Sequence, residues 1–214
     1  MNELLFQANN FLSGLQIPWA VCGGFALDLF LGKEVRRHSD IDICVLEIDR
    51  DCVSGYMLNN GWNIYEFRGQ GKVRALDSKS SSEFGRNLMC IKDDCDIVKF
   101  FPCEDTDMLY HEFHHTGITK LNYLEFLFNT MDDDNFIFNR ELDIKREISK
   151  SILFYNGIPY LSPELVLLFK SSKPDNKEYQ FDFDETFPNM NDEQKLWFIQ
   201  SMNVLYPNGH MWKL

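Results

Sequence analysis

The sequence predicts an α/β (α+β) chain: a small mixed sheet flanked by helices, then a short helical C-terminal part. Three observations predict it. Short apolar runs rich in β-branched and aromatic residues, such as Trp19–Cys22 and Tyr123–Phe128, alternate with segments of helical period. Glycine-bearing turns punctuate them, at Gly23-Gly24, Gly69-Gln70-Gly71 and Asn156-Gly157. From Ser151 the pattern changes towards helix. A length of 214 residues fits a core over residues 1–157 with a helical portion, 158–214, packed on it.

The elements follow in order. Asn2 is placed to cap a first helix whose apolar stripe is Leu4, Leu5, Ala8, Phe11, Leu12 and Leu15. Pro18 precedes a strand, Trp19–Cys22. After Gly23-Gly24, a helix over about Phe25–Leu31 carries Asp28, read as a brace or cap for the loop Lys33–Ser39. A second strand holds Asp40 and Asp42. Asp49–Asn60 reads as a surface helix ended by Gly61, and Trp62–Phe67 with Lys72–Leu76 as a hairpin. Ser-rich Asp77–Gly85 reads as a mobile loop. Leu88–Ile91 and Cys95–Phe101 read as a strand pair around Lys92-Asp93-Asp94. Tyr123–Phe128 is the most apolar strand, Asp132–Asn135 an acidic turn, and Phe136–Arg140 a strand. Ser162-Pro163-Glu164 opens a helix by cap, N1 proline and first-turn acid. Asn191 and Gln194 make a capping box for a last helix, Asp192–Leu205.

The stretch Val21–Val45 carries the chemistry. Side chains alternate along a strand, so Asp40 and Asp42 share one face while Ile41 and Ile43 face a core. Two adjacent carboxylates repel each other unless a cation lies between them, and an all-oxygen donor set suits magnesium. Gly23 and Gly24 let the backbone approach a bulky anion, and the helix behind them offers N–H groups and a positive dipole end. The basic loop Arg36-Arg37-His38 reads either as a phosphate grip or as a solvated turn. A phosphate seat joined to a metal seat by one short element is the equipment of phosphoryl or nucleotidyl transfer.

Bulk properties narrow the partners. A net charge of −12 and a pI near 4.8 argue against a polymeric nucleic-acid substrate and suit a small, cationic acceptor. Mean hydropathy is −0.30, no run is long enough to span a bilayer, and MNELLFQANN lacks a basic leader region, so a cytoplasmic protein is expected. The six cysteines form no CxxC pair and read as free thiols. His111-Glu112-Phe113-His114-His115 satisfies H-E-x-x-H. That chemistry needs a helix, and Thr116-Gly117 ends the segment at once, so it reads as a polar strand or loop with exposed histidines.

The run GGFALDLFLGKEVRRHSDID resembles the nucleotidyltransferase superfamily of polymerase-beta-like fold, in particular its aminoglycoside-2″-adenylyltransferase-like and lincosamide branch. NGIPYLSPELVLLFKSSKPDNKEYQFDF resembles that branch's C-terminal signature, and YLEFLFN lies between the two. The resemblance implies transfer of a nucleoside monophosphate, AMP from ATP, to a hydroxyl of a small molecule of aminoglycoside or lincosamide kind, with magnesium and release of pyrophosphate. It implies that Asp40 and Asp42 are catalytic metal ligands and that Gly23 and Gly24 bind nucleotide with Arg37 and His38. Lys170 is implied near the triphosphate. A third carboxylate, acting as general base or metal ligand, is implied on a neighbouring strand. Glu125 is the match, because an acid among Leu and Phe is costly to bury without a task. Asp96 is the alternative. Other members of the superfamily modify proteins or tRNA, and a non-catalytic nucleotide-binding module is a further alternative.

Overall fold

In the computed structural model the described residues are 2–104, 106–114 and 118–212. They form two compact units that interleave along the chain. One comprises residues 1–19 and 37–129, the other 20–36 and 130–214.

The first unit begins with α1 (Glu3–Leu12), capped by the Asn2 side chain on the Leu4 N–H. Its sheet is built from β2 (Asp42–Leu46), β3 (Asn63–Gly69), β4 (Lys72–Leu76), β5 (Leu88–Ile91), β6 (Val98–Pro102), β7 (Met108–Phe113) and the start of β8 (Tyr123–Asp132). Their order is β2-β8-β5-β3-β4-β7-β6. β2 and β8 run parallel, and the other pairs are antiparallel. α3 (Arg50–Asn59), led by a 3₁₀ turn, connects β2 to β3. The Tyr56 hydroxyl on α3 donates to the Phe11 carbonyl of α1.

This sheet coils strongly. Three strand spacings separate β3 from β6, roughly 14 Å in a flat sheet. Yet the Tyr65 and Phe100 rings stack with centroids 4.2 Å apart. Phe113 of β7 likewise meets Tyr123 of β8 edge-on at 5.9 Å. The β6–β7 hairpin therefore curls back over the β3–β5–β8 face.

The second unit holds β1 (Trp19–Cys22, from Ala20) parallel to β12 (Ile158–Leu161), which pairs antiparallel with β11 (Ile152–Tyr155). The end of β8 pairs with β9 (Asn135–Ile137), and β9 with β10 (Lys145–Glu147). Its helices are α2 (Gly23–Leu31), α4 (Ile148–Ser151), α5 (Pro163–Lys170), α6 (Lys177–Thr186) and α7 (Asp192–Leu205). The α7 capping box is present in both directions. Among the described residues no helix is long and apolar enough to cross a membrane.

Several expectations change. β5 and β6 do not pair: β5 lies between β3 and β8, and β6 pairs with β7. Local turn chemistry at Lys92-Asp93-Asp94 suggested a hairpin, but buried Met89 and Cys90 pair with two central strands instead. The Phe136–Arg140 strand stops at Ile137. Arg140 instead donates to the Phe169 carbonyl and the Ser172 hydroxyl, closing the C-terminal end of α5. Ser162 precedes α5 without a side-chain cap bond. The Ser-rich loop is tied down. Fully buried Glu66 accepts from the Ser82 hydroxyl and the Glu83 N–H. Arg50, bound to Glu47 and stacked on Phe128, also donates to Ser82.

Glu66 is held by Arg68 at 2.8 Å and Arg74 at 2.9 Å. Burial alone would push its carboxyl up, but the Glu83 N–H, Arg68, Ser82 and Arg74 outweigh burial and hold it below the usual range. The folded value lies below the unfolded one, so this stabilisation is present above about pH 4.3 and is lost as pH falls through the folded value. Glu66→Ala should cost about 2 kcal/mol in urea unfolding at pH 7, since it removes the buried carboxylate that accepts from Arg68, Arg74, Ser82 and the Glu83 N–H. Glu66→Gln should flatten the loss of stability between neutral pH and the acid limb.

Candidate active site

The site grows from the β2–β8 pairing. Ile41 and Ile43 are fully buried, while Asp40 and Asp42 between and before them are half-buried. Asp40 lies two residues ahead of β2 rather than in it. Pairing with β8 nevertheless begins early: the Glu125 N–H donates to the Ile41 carbonyl at 3.0 Å. In the parallel register Asp42 stands beside Glu125. Directly paired residues share a face, so Asp42 and Glu125 lie side by side.

Electrostatics report the same grouping. Burial pushes the Glu125 carboxyl up to about 7; its hydrogen bond from Tyr123 pulls down, and the Asp40 charge adds to the rise. The Tyr123 hydroxyl is pushed well above its usual value by burial and by the charges of Glu125, Asp40 and Asp42. Three carboxylates and one phenol thus face each other in the first unit. Tyr123, fully buried, donates its hydroxyl hydrogen to Glu125 Oε1. Sequence reasoning recorded Tyr123 only as the start of a strand. Its signal was Tyr-x-Glu: two positions apart on a strand means one face.

Registers across the sheet sharpen the contrast with Glu66. Asp42, Glu125, Met89 and Tyr65 form one cross-strand row. Ile43, Phe126, Leu88, Glu66 and Arg74 form the next row, on the opposite face. One acid is neutralised by arginines and depressed. The other lies among carboxylates and apolar neighbours and is raised. Divergent environments of this kind separate structural from chemical acids.

The alternative third carboxylate, Asp96, is exposed and precedes β6. His111 lies in β7, half-buried between the Phe67 and Phe113 rings, with its Nδ1 buried and unpartnered. Glu112 and His114 are exposed; His115 lies outside the described residues. His111 thus lies in a strand, whereas the zinc pattern needs a helix to bring its two histidines onto one face.

In the second unit, Gly23 and Gly24 are the first residues of α2, and Gly23 has φ 65°. That left-handed backbone costs a side-chain-bearing residue energy and explains glycine at this turn. The Cys22 thiol does not cap the helix. Asp28 is buried and accepts from the Val35 N–H at 3.1 Å, so it braces the loop as expected. Arg36 donates twice to the buried Asp182, at 2.8 and 3.0 Å. Lys170 lies 2.9 Å from the same carboxylate, over the Tyr179 ring. In the first unit Arg37 is exposed, and His38 is buried with its carbonyl accepting from the Ile118 N–H. Among the described residues no three His, Cys, Asp or Glu side chains are gathered to hold a metal ion as they stand. The donor chemistry of Asp40, Asp42 and Glu125 is all oxygen, which fits a hard divalent cation and not zinc.

Residues 4–77 match the family model described as aminoglycoside-2″-adenylyltransferase, a span that includes the Gly-Gly turn and both aspartates. The lincosamide antibiotic adenylyltransferase LnuA, in its lincomycin-bound crystal structure, superposes with a TM-score of 0.53 at 17% identity, covering 86% of this chain and 94% of that one. The chain has the polymerase-beta-like nucleotidyltransferase fold. Two further structures agree. The solution structure of the antibiotic-resistance factor ANT(2″)-Ia gives a TM-score of 0.55 at 12% identity, covering 96% of this chain and 92% of that one. ANT(2″)-Ia with adenylyl-2″-tobramycin gives 0.52 at 11%, covering 94% and 97%. No curated protein matches. Together these findings show the fold and, over residues 4–77, a likeness to the aminoglycoside-2″-adenylyltransferase family.

A raised Glu125 weakens the nucleotidyltransferase fold at neutral pH. Its folded value lies above the unfolded one, so stability is lost as pH rises from about 4.3 through 7. Glu125→Gln should therefore stabilise the metal-free protein by about 2 kcal/mol in denaturant at pH 8, with no gain at pH 4.

Proposed function

We propose that this chain is a magnesium-dependent nucleotidyltransferase, moving AMP from ATP to a hydroxyl of a small acceptor and releasing pyrophosphate. The observation that carries the reading is the register: Asp42 beside Glu125 on paired parallel strands, with Asp40 on the same face. Magnesium would be held by Asp40 and Asp42 and would supply charge neutralisation for the triphosphate.

The chain's own residues do the rest. Glu125 takes the proton of the attacking hydroxyl; a carboxyl poised near neutrality is suited to that work. The first N–H groups of α2, behind Gly23-Gly24, seat phosphate oxygens. Arg37 adds positive charge to the donor site and His38 a ring that can hydrogen-bond a phosphate oxygen, while Lys170, held by Asp182, is the weaker of the basic contributors. In-line orientation and charge neutralisation carry most of the rate. LnuA is lincomycin-bound in its crystal structure, and ANT(2″)-Ia is in complex with adenylyl-2″-tobramycin. Their likeness to this chain, with its −12 charge, supports a cationic antibiotic of aminoglycoside or lincosamide kind as acceptor.

Pyrophosphate release from ATP and magnesium, with tobramycin and lincomycin as acceptors, tests the reading. Asp42→Asn should lower transfer about 10²-fold or more, on the scale of losing one transition-state electrostatic contact. Asp96→Asn should leave it unchanged. Full activity in Asp42→Asn refutes the mechanism.

A further inference from the structure

We infer that Tyr123 is a positioning residue that commits Glu125 to proton transfer and withholds it from the metal. The inference rests on the proposed function and names a residue that reading did not include. Tyr123 and Glu125 are two apart on β8, so their side chains leave the same face. The hydroxyl donates to Glu125 Oε1. Tyr123 is itself immovable: fully buried, paired across the sheet with Ile91, and closed over by the Phe113 ring of the curled β6–β7 hairpin.

A glutamate has three rotatable side-chain bonds, and beside Asp42 it could swing either towards a shared cation or towards an acceptor. The Tyr123 bond occupies one carboxylate oxygen and fixes the plane of the group. One oxygen is left for chemistry. The proposed step is then balanced. The acceptor oxygen forms a bond to the α-phosphorus, the bond from that phosphorus to pyrophosphate breaks, and the acceptor proton passes to the free oxygen of Glu125. Tyr123 keeps its own proton throughout.

Tyr123→Phe retains the ring and removes the bond. With ATP, magnesium and whichever of tobramycin or lincomycin the wild type accepts, kcat should fall roughly tenfold while the KM for ATP stays constant. In the Glu125→Gln background the same substitution should change the residual rate less than twofold, because no carboxylate remains to be positioned. Manganese binding, followed by electron paramagnetic resonance without substrate, should stay within twofold in Tyr123→Phe and in Glu125→Gln, and should be lost in Asp42→Asn. Three results overturn the inference alone: an unchanged kcat in Tyr123→Phe, an equal loss in both backgrounds, or loss of manganese in Glu125→Gln. A wild type that binds manganese but transfers nothing to either acceptor overturns the functional reading and this inference with it.

Discussion

The parallel pairing of β2 with β8 is the constraint on which the site depends. Ile41 and Ile43 are buried completely, worth about 1.5–3 kcal/mol each. Their period of two leaves the aspartates on the other side of the strand. A slip of one residue would drive Asp42 into the apolar layer and bring Ile43 out, so burial fixes the register as firmly as it fixes the strand. That register sets Asp42 beside Glu125. Apolar residues thus offset the repulsion between acids that gain nothing from each other.

The coiled antiparallel extension has a second consequence. A flat sheet would leave the Glu125 row open to water, and its carboxyl would titrate as an ordinary one. Because β6–β7 curls back, Phe113 covers Tyr123 and the acid beside it loses hydration. The other face of the same strands handles the same problem differently. Glu66 is fully buried, but Arg68 and Arg74 answer its charge. Two acids one row apart are therefore distinguishable by what surrounds them, with no appeal to the reaction.

Much of this was legible in the sequence. Trp19–Cys22, Leu88–Ile91 and Asp192–Leu205 are read at their true boundaries, because turns and caps are encoded locally. The fold class and the family likeness over residues 4–77 were legible because Gly23-Gly24 and Asp40-Ile41-Asp42 lie close together in the chain. What escaped depends on partners distant in sequence. Glu66 meets Ser82 across a loop that composition alone marks as mobile. β5 and β6 look like a hairpin until the strands on either side of β5 are known. The lysine-to-phenylalanine stretch 177–183 read as a family element, and its helix, α6, is stabilised by Asp182 drawing in Arg36 from far upstream.

Asp182 also changes how the cations of the second unit are weighed. Arg36 lies in the basic loop that reads as a phosphate grip, and the family resemblance implies Lys170 near the triphosphate. Both are bound to one buried carboxylate, and Lys170 is also shielded by Tyr179. A cation already neutralised at short range attracts a phosphate weakly, and drawing it away would strand Asp182 in a buried position. The backbone N–H groups at the start of α2 are the other proposed phosphate donors. In the proposed reaction they are positioned by the Gly23 turn and held by a helix whose far end is tied to Asp28 and the loop it braces. The proposed phosphate seat would then depend more on α2 than on the basic side chains that are most conspicuous in the sequence.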